Sequence, residues 1–389
     1  MRRRAFIRIA AGAVIAPALG FPLAGCAPAD GYPPEAVQAW RGPARDEADV
    51  RRWLLGYAVL APHSHNLQSW LVDLRWPGEI MLSCDLTRLL PQTDPFSRQI
   101  MLSHGSFLEL LDLAARQRGL RADIELFPEG VDATGLDARP VARIRLRPDS
   151  SVAADPLFGQ ILARRTNREP YLPREPAAQA LRFIAASTAP HPGVRTGFVT
   201  SRDEPALRAH RALAAQAWRI ELTTPHAVLE SYRVLRIGPA EIARHRDGLS
   251  LNTPLARALT AVGLFDRSRA PGPQDVATTS QLKEFDATIA ATPAFFWMVT
   301  QGNDRRTQIA AGRAYVRAQL AATAMGLSMQ PLSQALQEYP EQTVPHARIH
   351  ALLRTPAPRF TVQMWTRLGH GPAVGPSPRR GVDAHVVAA

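Results

Sequence analysis

Residues 61 to 70 read APHSHNLQSW, and five of them carry polar groups that could line a site: His63, Ser64, His65, Asn66 and Gln68. An apolar helical pattern precedes them and an apolar strand pattern follows, so they are expected to face a pocket rather than dangle in solvent. Residues 161 to 168 read ILARRTNR, a run expected to be helical that ends in Arg164, Arg165 and Arg168 around Thr166 and Asn167. Arginine suits a phosphate because its planar fork gives paired donors to two oxygens. Arginine pairs recur at 51, 305 and 379, so a pair alone specifies nothing in this chain.

Other constellations fall away on inspection. His63, His65 and His104 have no cysteine or carboxylate beside them, and their spacing does not make a metal set. Ser64 beside His65, with Asp73 further on, lacks the strand-turn-helix setting of a nucleophile elbow. Cys84 ends an apolar strand and reads as a small buried hydrophobe.

The chain has 389 residues, 46% of them hydrophobic, which is core material for more than one ordinary domain. Its net charge is +12, and Lys283 is its single lysine. Four of the arginines precede Cys26, so +8 remains beyond that point. That charge is scattered among acids with no basic, aromatic-laced run, which argues against a nucleic-acid partner.

The first 26 residues, MRRRAFIRIAAGAVIAPALGFPLAGC, form a basic head, an apolar run and a small-residue end. The apolar run is too short to span a bilayer, which takes roughly 20 residues in a helix, so it reads as an export signal. Arg3-Arg4-Ala5-Phe6-Ile7 resembles a twin-arginine signal. Leu23-Ala24-Gly25-Cys26 resembles a lipobox, in which Cys26 would be acylated. The expectation is a periplasmic or cell-envelope protein that meets the membrane only through this N-terminal lipid. Twin-arginine export carries folded chains, which points to a bound prosthetic group.

The elements that must hold the site repeat. Residues 27–43 read as a Pro/Gly-rich tether, 44–150 as a first half, and 151–389 as a second half with an insertion at 223–292. In the first half the pattern predicts a helix at 46–60, a hairpin at 71–75 and 79–84, a long helix after a Ser97 cap, and strands near 122–127 and 141–147. In the second it predicts helices at 155–163, 176–187 and 203–222, strands at 194–200, 294–300 and 359–366, and a long helix at 304–326. At an offset of 207, Arg98, Gly105, Leu113, Ala114, Ala115, Gly119 and Leu120 fall on Arg305, Gly312, Leu320, Ala321, Ala322, Gly326 and Leu327. A glycine inside a helix costs about 1 kcal/mol against alanine, so two at matching places predict close helix contact and a duplicated α+β unit.

Together these segments resemble the nitroreductase family of FMN flavoproteins, in particular its exported branch of degenerate dimers. Ala61 to Trp70 is similar to the family's APSxxNxQPW segment, and Arg164 to Arg168 to its RRSxR segment. Gly326 to Gln334 is similar to its flavin-facing loop, and Arg379-Arg380 to its C-terminal basic pair. His63 and Ser69 depart from the family's Ser and Pro. The resemblance implies a nitroreductase-like α+β fold with two fused units forming an intrachain pseudo-dimer, so that no homodimer is needed for the flavin site. The first half has the Asn/Gln segment without an RRSxR. The second has RRTNR but only FIAASTAPHPG where the Asn/Gln segment belongs, so one FMN per chain is implied.

By the same resemblance, Arg164, Arg168 and one of Arg379 and Arg380 meet the phosphate, and Arg165 and Thr166 the ribityl chain or ring edge. Asn66 and Gln68 meet the pyrimidine side or the ribityl hydroxyls, and the backbone of Leu332 and Ser333 lies near N5. The implied activity is ping-pong electron transfer from a small-molecule reductant to a quinone- or nitro-like acceptor, with no side-chain acid or base assigned. The competing reading is a non-catalytic protein that stores or sequesters FMN, with residues 223–292 as its cover.

Overall fold

A computed structural model describes residues 31–132, 135–263 and 265–387. The export signal and Cys26 lie outside the described residues. Two four-stranded antiparallel sheets organise the chain. In the first, the strand order is Trp70–Asp73, Glu79–Cys84, Ala142–Pro148, Leu120–Leu126. In the second it is Val194–Val199, Ala294–Gln301, Phe360–Gly369, Ser328–Pro331. The two orders are the same: two strands, then a 20-residue central helix, then two strands of which the later one pairs inward. The fold is α+β and duplicated.

The central helices, Arg98–Gln117 and Arg305–Ala324, cross at the glycines that match in the sequence. A Cβ on Gly105 would lie 2.1 Å from the Ile309 carbonyl oxygen, and one on Gly312 would lie 1.9 Å from the Leu102 carbonyl oxygen. Ile309 and Leu102 are themselves one offset of 207 apart. The contact is therefore reciprocal, as across the two-fold axis of a homodimer, but inside one chain. One core runs through both units, joining Leu54, Trp70 and Phe107 of the first to Ile309, Tyr315 and Met329 of the second.

Several expectations are corrected. Ser97 does not cap the first central helix, because it sits in the left-handed region at φ 54° with no side-chain cap bond. The Asp94 carboxylate takes that place, accepting from the amides of Gln99 (3.1 Å) and Ile100 (3.0 Å). The helix expected at 155–163 is a single 3-10 turn, Pro156–Gln160, opened by a proline that fits a first turn. The arginine run after it is extended rather than helical, with Thr166 bridging Met329 in parallel. Segment 27–43 is not a loose tether where described: Pro34–Val37 and Gln38–Arg41 form two short helices, and Trp40 is buried with its indole N–H donated to the Ser377 carbonyl (2.8 Å).

The chain's end returns to the first unit. Val386 bridges Val72, and the Val72 amide donates to the His385 carbonyl (2.8 Å). The insertion folds as four helices, Pro225–Arg233, Gly238–His245, Pro254–Ala261 and Val276–Ala290, with a two-stranded parallel ladder between Leu235–Ile237 and Leu249–Leu251.

Candidate functional site: an arginine cluster at the seam between the units

Three guanidinium groups converge on one indole. The Cζ atoms of Arg165, Arg164 and Arg379 lie 4.4, 5.3 and 5.6 Å from the Trp40 ring centroid. Stacking on an aromatic face is the packing a guanidinium tolerates while keeping its edge donors free. Arg164 and Arg379 are 1% and 4% exposed, and among the described residues no carboxylate pairs with either. Arg164 is held by neutral acceptors: Nη1 donates to Gln319 Oε1 (3.1 Å) and Nη2 to the Leu60 carbonyl (2.9 Å). Arg379 donates to the carbonyls of Ala61 and Pro378, both at 3.2 Å. The Nε–H of each is buried with no acceptor among the described residues. Burial without a counter-charge draws the Arg164 pKa down to about 10 and pulls that of Arg379 well below its ordinary value.

The cluster continues along the arginine segment. Arg165 donates to the Leu162 and Arg164 carbonyls at 2.8 Å, and Thr166 Oγ1 accepts from Gln319 Nε2 (3.4 Å). Among the described residues Arg168 has no carboxylate partner either. Its surface is open to solvent, yet enough of the protein surrounds it that desolvation still lowers its pKa, against the opposing pull of Tyr32, Tyr171 and Tyr315. Arg367, fully buried, stacks on Tyr171 at 4.0 Å and leaves Nη1 without an acceptor.

Asn66 and Gln68 stand next to this cluster but are spent on the protein itself. Asn66 Nδ2 donates to the Pro378 carbonyl (3.0 Å) and Gln68 Nε2 to the Arg246 carbonyl (2.9 Å), while Gln68 Oε1 accepts from the Arg380 amide (2.9 Å). Arg380 Nη2 returns a bond to the Gln68 carbonyl (2.5 Å). The two amides thus pin the C-terminal segment and the insertion to the first unit. Their loop carries positive φ at His65, Asn66 and Gln68 (48°, 55°, 56°), a strained backbone of the kind that persists where surrounding contacts over-determine it. His65 Nε2 lies 3.0 Å from Ser231 Oγ of the insertion, and burial together with Arg168 lowers its pKa to about 4. Leu332 and Ser333 follow the strand that Thr166 pairs with; the Leu332 amide donates to the Trp365 carbonyl (2.8 Å), and its side chain packs in the second core.

The structure thus gathers Arg164, Arg165, Thr166 and Arg379 into one cluster, with Asn66, Gln68 and Arg380 as an adjoining joint. Trp40, Gln319, Tyr171, Tyr315 and Arg367 belong to the same region and were not expected. Gln319 had a signal, being polar on an otherwise Ala-rich helix face; Trp40, in a Pro/Gly-rich stretch, had none.

The pseudo-equivalent seam is different. There Glu109, 2% exposed, accepts from Arg313 Nε (2.7 Å) and Arg317 Nη1 (2.8 Å). Asp155 accepts from Arg317 Nη2 (2.7 Å) and Asp112 from Arg313 Nη2 (3.1 Å). Asp112 stands one offset of 207 from Gln319, and His191, 3.4 Å from Glu109, follows an Ala-Pro pair as His63 does.

No family model matches the chain. Among curated proteins it is similar to "Putative NAD(P)H nitroreductase Rv3131" of Mycobacterium tuberculosis, 28% identical over 344 residues that cover 86% of this chain and 90% of the relative. It is also similar to "Putative NAD(P)H nitroreductase acg" of the same species, 32% identical over 133 residues, 32% of this chain and 36% of the relative. Among solved structures, a Sphigopyxis FMN- and NADPH-dependent nitroreductase, NfnB, matches 60% of this chain and 98% of its own at 16% identity and TM-score 0.36. A nitroreductase from Desulfovibrio desulfuricans in complex with FMN matches 61% and 98% at 14% identity and TM-score 0.34. Along most of its length, then, the chain is similar to mycobacterial proteins named as NAD(P)H nitroreductases.

Proposed function

We propose that this protein is an FMN-binding oxidoreductase of the nitroreductase type, holding one FMN at the arginine seam. The observation that carries this is the buried set Arg164 and Arg379, with Arg165 and Arg168 beside it and no carboxylate paired with any of them among the described residues. A buried cation without a counter-charge is costly, and a phosphate dianion supplies that charge together with acceptors for the orphaned Nε–H groups. Arg164, Arg379 and Arg168 are the residues that would hold the phosphate, with Arg165 and Thr166 next along the cofactor. FMN, when bound, relays two electrons between a donor and an acceptor. With a nicotinamide donor and a quinone acceptor the balance is NAD(P)H plus quinone plus one proton giving NAD(P)+ plus quinol. The protein's share is placement and a cationic wall. Export through the twin-arginine route and acylation of Cys26 complete the reading.

A second reading rests on the insertion. Its bonds from Gly248 to the Asn66 carbonyl (3.1 Å), from Gln68 to Arg246 and between His65 and Ser231 clasp the loop beside the cluster, as a cover over a stored cofactor would. Anaerobic NAD(P)H separates the two. Loss of the flavin band near about 450 nm marks the oxidoreductase, and persistence of the band marks the store. The flavin assignment itself is tested by the absorption spectrum and released flavin of the purified protein. Arg164→Ala with Arg168→Ala is expected to lose the flavin; full retention would refute the phosphate site.

A further inference from the structure

The insertion carries an apolar helix that the described fold leaves uncovered. Pro254–Ala261 is capped by Thr253 Oγ1, which accepts from the Ala256 amide (3.2 Å), and it rests on the body through buried Ala256. At 3.6 residues per turn Leu255, Ala258, Leu259 and Val262 share one stripe. Leu255 and Val262 are 69% and 67% exposed, Ala258 is exposed and Leu259 half-buried. From Leu251 to Gly263 there is no acidic residue, and Arg257 is exposed. Single apolar side chains on a surface need no explanation, whereas a helical stripe of them calls for a partner.

The path of the chain says which partner. Asn252 Nδ2, just before the helix, donates to the Gly31 carbonyl (3.1 Å). Gly31 is five residues from Cys26, and five extended residues span at most about 18 Å. The helix itself is eight residues, about 12 Å long. With Cys26 acylated, the interface that holds the lipid is within reach of the whole stripe. We propose that Leu255, Ala258, Leu259 and Val262 form a bilayer-contacting surface, lying in the headgroup boundary as an interfacial helix does and adding a second hold to the lipid at Cys26. No carboxylate on this helix opposes an anionic surface. This surface rests on the lipid-anchored reading above.

The test uses the full chain, processed in a bacterial host, with a nitrobenzoxadiazole dye on Leu255→Cys, Val262→Cys or, as a remote exposed control, Arg208→Cys. Cys84 is buried and does not compete for label. In vesicles of phosphatidylcholine and phosphatidylglycerol at three to one, a doxyl-labelled phosphatidylcholine is expected to quench dye at 255 and 262 at least twofold more than at 208. Equal quenching at the three positions overturns the proposal, as does a protein partner that shields 255 and 262 from the quencher. Flavin content equal to the parent's shows that the labelled chains are folded. The mass of the mature N-terminus reports the anchor separately. Should it show no acyl group, the anchor reading fails and the stripe is judged by sedimentation of that chain with the same vesicles. Leu255→Asp with Val262→Asp is then expected to lower the bound fraction about tenfold, and an unchanged fraction overturns the proposal.

Discussion

Two seams run between the halves of this protein, and they solve the problem of buried arginine in opposite ways. At one, Arg313 and Arg317 are neutralised within the chain by Glu109, Asp112 and Asp155. At the other, Arg164 and Arg379 lie on Trp40 with backbone carbonyls and one amide for company. A duplicated chain begins with two equal seams. The difference is that one is closed by carboxylates, whereas the other holds its buried arginines, among the described residues, without one. In the first, arginine is neutralised within the fold; in the second, it belongs to the seam proposed to hold the flavin phosphate. The helix positions Asp112 and Gln319, 207 apart, mark the divergence in a single exchange of charge for amide.

The comparison can be broken by substitution, beginning at the closed seam. Glu109→Ala removes the carboxylate shared by Arg313 and Arg317 and strands both; the expected loss, read by denaturant unfolding, is about 3–5 kcal/mol. A loss under 1 kcal/mol would mean that the network does not hold the seam. Its pH dependence has a definite sign. Burial pushes the Glu109 carboxyl up, but the hydrogen bond from His191 together with Arg313 and Arg317 holds its pKa far below the ordinary 4.5, so its contribution is present above about pH 4.5 and drains away as pH falls toward the depressed value. The melting temperature is expected to drop between pH 5 and 3 more steeply in the parent than in Glu109→Gln.

At the open seam the ligand should do what carboxylates do at the other. FMN at 100 times its Kd is expected to stabilise the parent by about 2.7 kcal/mol and to leave the Arg164→Ala, Arg168→Ala protein unmoved. Thermal shifts in both would place FMN elsewhere. At the crossing that relates the seams, Gly105→Ala and Gly312→Ala each drive a methyl against a backbone carbonyl, and a cost of about 1–3 kcal/mol is expected from overpacking. Equal costs, read from paired unfolding curves, sharpen the pseudo-symmetry; a neutral Gly312→Ala would deny it. The smallest effect is Trp40→Leu, which removes the face under three guanidiniums. FMN affinity by fluorescence titration should fall about five- to thirtyfold, the worth of about 1–2 kcal/mol of cation–π contact.

The duplicated architecture was legible because its marks are local. Gly105 and Gly312 announced a close crossing, and the apolar runs read at 79–84, 122–127 and 294–300 announced the strands found there. The extended form of Arg164 to Arg168 was not legible, since arginine and alanine favour helix and only the pairing of Thr166 with Met329, 163 residues away, overrides that preference. The same applies to Ser97, a good cap by type, displaced by Asp94 once the chain turns at 94–97. At the site, residue types pointed to the arginines, but the carboxylate-free character of their surroundings is a property of what folding excludes. Trp40 and the amide bonds of Gln68 depend on termini and insertion meeting the first unit, a long-range event that no window of sequence contains.

The central claim is that one seam takes a flavin and its twin cannot. Released FMN per mole of purified chain, measured after saturation with FMN and removal of excess, tests it most directly. The account predicts a ratio of one in the parent and near zero with Arg164→Ala and Arg168→Ala. A ratio of two, or a parent that stays colourless after soaking, would contradict it.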